Sequence, residues 1–118
     1  MIMRILCAVL TGSAILLALG SPQERGRDVF VRRCSGCHAV DSNREDPRLR
    51  GVYGRKAASM PGFSYSDSLK KADIRWDETS LDRWLSDPEA IAPGTDMDFH
   101  LADNEERKAV IAYVKSLH

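Results

Sequence analysis

Scarcity is the most informative property of this 118-residue chain: three cysteines, three histidines and no net charge. Seventeen basic and seventeen acidic side chains cancel, so no surplus charge is available to neutralise phosphates, and nucleic acid is not expected as a partner. A structural zinc needs four ligands. Beyond Cys34, Cys37 and His38 the chain offers only Cys7, in an apolar N-terminal run, and His100 and His118, which makes a poor zinc set. No alternating apolar run marks a strand and no segment repeats, which argues against sheet architectures and solenoids. A dithiol oxidoreductase would place its cysteines at a helix start in a βαβ setting, and no strand pattern precedes Cys34.

The single long apolar run lies at the start. After Met1-Ile2-Met3-Arg4 the chain is apolar from Ile5 to Gly20, and Ala18-Leu19-Gly20 presents small residues where a signal peptidase reads them. Residues 1–20 therefore read as a secretory signal, with an uncleaved anchor as the alternative, since the run approaches the ~20 residues needed to span a bilayer. In either case the folded part is expected to be periplasmic or otherwise exported. Residues 21–118 are enough for one small domain.

What the chain does have is Cys34-Ser35-Gly36-Cys37-His38. Two thiols separated by two residues, followed at once by an imidazole, form the covalent haem attachment signature. On a helical turn, positions three and four apart share a face, so the three side chains can address one flat ligand. The thiols would add to the porphyrin vinyl groups, and His38 would offer a neutral nitrogen to the iron. With both cysteines so used, no disulfide is expected even in an oxidising compartment.

Around this motif the pattern is helical. Ser21-Pro22-Gln23-Glu24 combines a capping hydroxyl, a proline at the first helical position and a glutamate three residues after the cap. The helix should run to about Arg33 with Gly26, Val29 and Phe30 inward, Gly26 allowing another helix to approach closely. Residues 39–60 read as loop, and so long a loop in a small domain implies something to wrap. Ser66 caps a short helix, Thr79-Ser80-Leu81-Asp82 opens another that stops near Asp87-Pro88, and Asp103 with Glu106 opens the last. Val110, Ile111, Val114 and Leu117 form its apolar stripe, with Tyr113 placed to pack on Gly26 and Phe30. The fold class is all-α: short helices and loops around a prosthetic group.

The second axial ligand has four candidates: Met60, Met97, His100 and His118. Met97 follows Pro93-Gly94-Thr95-Asp96, a stiff turn that can present one side chain reproducibly. A thioether there would favour ferrous iron and suit an electron carrier, whereas a core-filling role is also open to it.

Taken in order, these residues resemble the class I c-type cytochromes, close to the mitochondrial cytochrome c and bacterial cytochrome c2 branch. The likeness spans nearly all of residues 21–118: Gly26 and Phe30, the haem motif, Pro47 through Lys56, Pro61 through Ser66, Trp76, Pro88, Pro93-Gly94-Thr95-Asp96-Met97, Phe99, and Arg107 through Lys115. The resemblance implies the cytochrome c fold around one haem c, covalent through Cys34 and Cys37, with His38 and Met97 as the axial pair. It implies that the Pro47 carbonyl accepts a hydrogen bond from the other nitrogen of His38. Arg55, Tyr65 and Trp76 would hydrogen-bond or neutralise a haem propionate, and Phe99 would pack by the haem edge. The implied function is one-electron transport without catalysis, as a soluble monomer docking transiently with redox proteins. A haem enzyme or gas-binding protein with an open axial site is the alternative.

Three departures from the family pattern stand out. Trp84 occupies the place of a tyrosine whose hydroxyl bonds the methionine sulfur, and an indole can only donate. Leu69 replaces an asparagine near the haem. Where the mitochondrial branch has lysines around the haem edge, this chain has Glu89, Asp96 and Asp98, with Arg33 on the other side. The acids belong to a wider asymmetry: no lysine or arginine lies between Arg83 and Arg107, whereas arginines crowd residues 25–56. A different partner should be steered to such a surface.

Overall fold

A computed structural model describes residues 20–118 together with Gly12, so the expected signal or anchor over residues 1–20 lies almost wholly outside the described residues. The described residues form five helices and no strand: α1 (Pro22–Arg33), α2 (Asp67–Lys71), α3 (Glu78–Ser86), α4 (Pro88–Ile91) and α5 (Asn104–Ser116). None is long and apolar enough to cross a membrane.

α1 starts as its sequence dictates. The Ser21 hydroxyl accepts from the Glu24 amide and the Glu24 carboxylate accepts from the Ser21 amide, both at 3.1 Å, which satisfies two otherwise orphaned donors. At α5 the same signature is only half realised. Asp103 accepts from the Glu106 amide at 2.8 Å, but the Glu106 carboxylate turns away to Arg32 and Arg33 of α1, at 3.6 and 3.5 Å. An interhelical ion pair has replaced the return bond of the cap. α3 begins one residue before the expected Thr79, because Asp77 is the cap: its carboxylate accepts from the Ser80 amide at 2.8 Å and the Ser80 hydroxyl bonds back to the Asp77 amide at 2.9 Å.

α1 and α5 cross at Gly26. A methyl group added there would stand 1.9 Å from the Ala109 carbonyl oxygen and 2.6 Å from the Tyr113 Cβ, so only a hydrogen fits. Phe30 and Tyr113 pack beside the crossing with ring centroids 5.6 Å apart. α5 also reaches α3: the largely buried Arg107 pairs with Asp82 at 2.9 Å and donates to the carbonyls of Leu101 and Ala102 at 2.8 and 2.9 Å. The buried residues form two clusters, one beside the crossing around Val29, Phe30, Leu101 and Val110, the other around Trp76, Leu81, Trp84, Ile111 and Val114.

The long segment between α1 and α2 has no helix, yet its backbone is tied at intervals. Gly51 donates to the Leu117 carbonyl at 2.7 Å, Gly54 to the Trp76 carbonyl at 2.7 Å, and Trp76 to the Arg55 carbonyl at 2.8 Å. Gly51 and Gly54 both take positive φ, 76° and 86°, which lets the loop bend back on itself twice within four residues.

Candidate functional site

Segments from along the fold, from Cys34 to Val114, border a cleft of about 1120 Å³ of atom-free space, partly open to solvent. Its walls are mainly apolar, with Leu69, Trp76, Leu81, Ile111 and Val114 among them. Of the candidate haem-binding residues, Cys34, His38, Pro47, Tyr65, Trp76 and Met97 line it, and so do Leu69, Trp84 and Asp96 from the departures noted above.

The motif reaches the cleft because α1 does not stop abruptly. Cys34 donates to the Phe30 carbonyl at 2.8 Å, and Cys37 and His38 donate to the Cys34 carbonyl at 3.1 and 2.9 Å, which carries one more turn past Arg33. Cys34 is half-buried in the wall of the cleft and Cys37 is exposed. Burial pushes the Cys34 thiol up to about 11.

His38 Nδ1 lies 2.7 Å from the Pro47 carbonyl oxygen. A carbonyl only accepts, so Nδ1 carries the proton and Nε2 keeps its lone pair. Asp46 Oδ2 stands 3.8 Å from Nε2, beyond hydrogen-bond reach.

Met97 is delivered by α4 and the turn after it. α4 was not expected, since four residues carry no periodicity, but Pro88 is fully buried and the Ala92 amide bonds to its carbonyl at 2.9 Å. Thr95 then donates to the Ala92 carbonyl at 3.0 Å, and Gly94 takes φ 80°. The Trp84 indole N–H donates to the Met97 sulfur at 3.1 Å. Trp84 therefore makes a bond to the methionine sulfur from the position where the family pattern has a tyrosine, and it is pinned edge-on to Trp76 with centroids 5.4 Å apart.

Arg55 and Cys37 do not line the cleft. The Arg55 guanidinium donates to the Ser59 carbonyl at 3.2 Å. Burial raises the Tyr65 hydroxyl above its ordinary range, offset in part by the Met60 amide and by the positive charges of Arg55 and Arg48. Arg48 had not been singled out; it also bonds to Asn43 and to the Pro61 carbonyl, at 3.4 and 3.1 Å. Its proximity to Tyr65 has no sequence signal. Met60 is buried but not on the cleft wall, while His100 lies against the Ser86 carbonyl at 3.1 Å, so neither competes with Met97 at the cleft.

An apolar cleft with a cysteine and a tautomer-fixed imidazole on its wall, and a thioether held on the same cleft, fits a haem: flat apolar faces, a tether and two neutral donors. Fold and site together define a c-type cytochrome. The cytochrome c family model matches residues 23–118, and the chain belongs to that family. It is 40% identical to the cytochrome c2 of Rhodomicrobium vannielii over 115 residues, covering 94% of this chain and 90% of the relative. It is 39% identical to the cytochrome c of Euglena viridis over 97 residues, 80% of this chain and 95% of that one. Among solved structures, cytochrome cH from Methylobacterium extorquens superposes with a TM-score of 0.75 at 38% identity, covering 79% of this chain and 96% of the other. The chain is thus an electron carrier holding one covalently bound haem c through its cysteine pair, and not an enzyme.

Proposed function

We propose that this protein is a soluble one-electron carrier of a periplasmic respiratory or related redox chain, its iron held between His38 and Met97. The observation that carries the reading is that both side chains lie on one cleft and each is oriented by its own hydrogen-bond partner, Pro47 and Trp84. Haem c supplies the ferric–ferrous couple; the protein's residues set its potential and its exposure. The Pro47 carbonyl holds His38 in the tautomer that leaves Nε2 free, and raises its basicity. Met97 is a soft, neutral ligand that favours the ferrous state.

Arg55, Tyr65 and Trp76 take a propionate in this reading, with Arg48 adding a second positive charge beside Tyr65. A carboxylate brought to an apolar wall is costly unless bonded to such donors. Residues 1–20 serve as a signal for export or, uncleaved, as an anchor. Residues 21–118 work as a monomer that docks transiently with redox proteins. The exposed acids Glu89, Asp96 and Asp98 favour a partner with a basic docking surface.

Absorption of the purified ferric protein tests the ligation. A weak sulfur-to-iron charge-transfer band in the far red is expected. A high-spin spectrum would show an open axial position and reject Met97.

A further inference from the structure

Glu89 was singled out as a surface acid, yet its carboxylate is not free. Oε1 accepts the Gly94 backbone N–H at 2.9 Å, closing a bridge across the turn that leads to Met97. We propose that Glu89 is a positioning residue that latches this turn and so limits how often the Met97 sulfur leaves its place. This rests on Met97 being the axial ligand, as read above.

The geometry supports a latch because the two ends of the bridge differ in rigidity. Glu89 springs from α4, where Pro88 is fully buried and Ala92 is 1% exposed, so its backbone is anchored in the core. Gly94 is exposed and at φ 80°, a conformation that glycine leaves easily. Past Gly94 the Thr95 amide still bonds to the Ala92 carbonyl at 3.0 Å, but Asp96 and Asp98 on either side of Met97 are exposed. Three restraints therefore act on the methionine: Trp84 on the sulfur itself, the Thr95–Ala92 bond within the turn, and Glu89 on the backbone three residues before it. Nothing else in the turn accepts from the Gly94 amide, so the Glu89 oxygen is what ties that end of the turn to α4.

An added nitrogen ligand can reach the iron only when the thioether has moved aside, so its apparent affinity scales with the fraction of molecules in which the turn is open. Imidazole titration of the ferric holoprotein, followed by loss of the far-red band, reads that fraction. Glu89→Ala removes the acceptor and is expected to tighten apparent imidazole binding about five- to tenfold. Glu89→Gln removes the charge but keeps a carbonyl oxygen in place, and is expected to stay within about twofold of wild type. A general loss of stability would lower the denaturant midpoint of both variants without separating them in imidazole affinity.

Wild-type affinity in Glu89→Ala overturns the latch. So does Glu89→Gln opening as far as Glu89→Ala, which would assign the effect to charge. If the wild-type ferric protein lacks the far-red band before any imidazole is added, it is the ligation by Met97 that fails, and the latch falls with it.

Discussion

The indole N–H of Trp84 points at the sulfur of Met97 across 3.1 Å. A thioether sulfur has two lone pairs, and a donor on one makes the other a weaker base. With Met97 as the proposed axial ligand, a weaker base stabilises ferric iron less, so the bond should raise the potential.

Trp84→Phe keeps an aromatic ring and removes the donor. The expected result is a reduction potential lower by about 20–40 mV, the one-electron equivalent of the ~0.5–1 kcal/mol a net hydrogen bond is worth. Protein-film voltammetry on the holoprotein reads it directly. An unchanged potential would mean that the indole positions the sulfur without polarising it. The buried ring also packs on Trp76, so the unfolding midpoint should be recorded alongside to separate lost packing from lost polarisation.

Gly26 fixes how closely α1 and α5 can approach. Gly26→Ala would set a methyl 1.9 Å from a backbone carbonyl, and since backbone cannot rotate away as a side chain can, the helices must separate. Overpacking of a core costs about 1–3 kcal/mol, and a backbone clash should lie at the upper end. Denaturant unfolding of the holoprotein should show a loss of about 3 kcal/mol. A loss below about 1 kcal/mol would show that the crossing can widen freely.

The sequence made the helices and the attachment turn legible because those depend on neighbours three and four residues apart. Ser21 with Glu24, Ser66, and the stripe from Val110 to Leu117 each carry their signal within one or two turns. Contacts between distant segments were less accessible. Gly26 could be suspected of a close approach and Tyr113 of packing there, but whether Trp84 met Met97 depended on how α3 faces the turn after α4. Glu106 shows why local patterns mislead: its spacing from Asp103 suits a capping box, yet Arg32 and Arg33 draw its carboxylate to another helix. α4 left no trace because four residues cannot show a period, and Pro88 reads equally well as a stop.

Asp77 gives the fold an acid-sensitive joint. Its carboxylate lies below the ordinary range because the Ser80 amide and then the Ser80 hydroxyl bond to the charged form. A lowered folded value means that the cap contributes fully above the unfolded aspartate's pKa of ~3.9, and is lost as pH falls through the lowered value. Asp77→Ala should therefore melt below wild type at pH 7, and the gap should close progressively below about pH 4. Melting temperatures of the two proteins from pH 7 to pH 3 check this. A constant gap would mean that the protonated carboxyl caps α3 equally well.

The charge asymmetry along the chain makes the last prediction, and it needs no knowledge of the natural partner. Glu89, Asp96 and Asp98 lie exposed on and beside the turn that carries Met97, with no lysine or arginine between Arg83 and Arg107 to offset them. Arg33, the cation on the other side, is paired with Glu106 at 3.5 Å, which mutes its field. Electrons leaving by an edge near these acids should therefore meet cationic reagents more often than anionic ones. Stopped-flow oxidation of the ferrous protein by a cationic cobalt(III) chelate should slow as salt is added, because the Debye length falls from about 30 Å at 0.01 M to about 8 Å at 0.15 M. Oxidation by hexacyanoferrate(III) should quicken over the same range. Opposite salt slopes for the two reagents would locate the reactive edge in a negative field, and Asp96→Asn with Asp98→Asn should flatten both. Slopes of the reverse sign would place the exit on the arginine-rich side, and the docking surface with it.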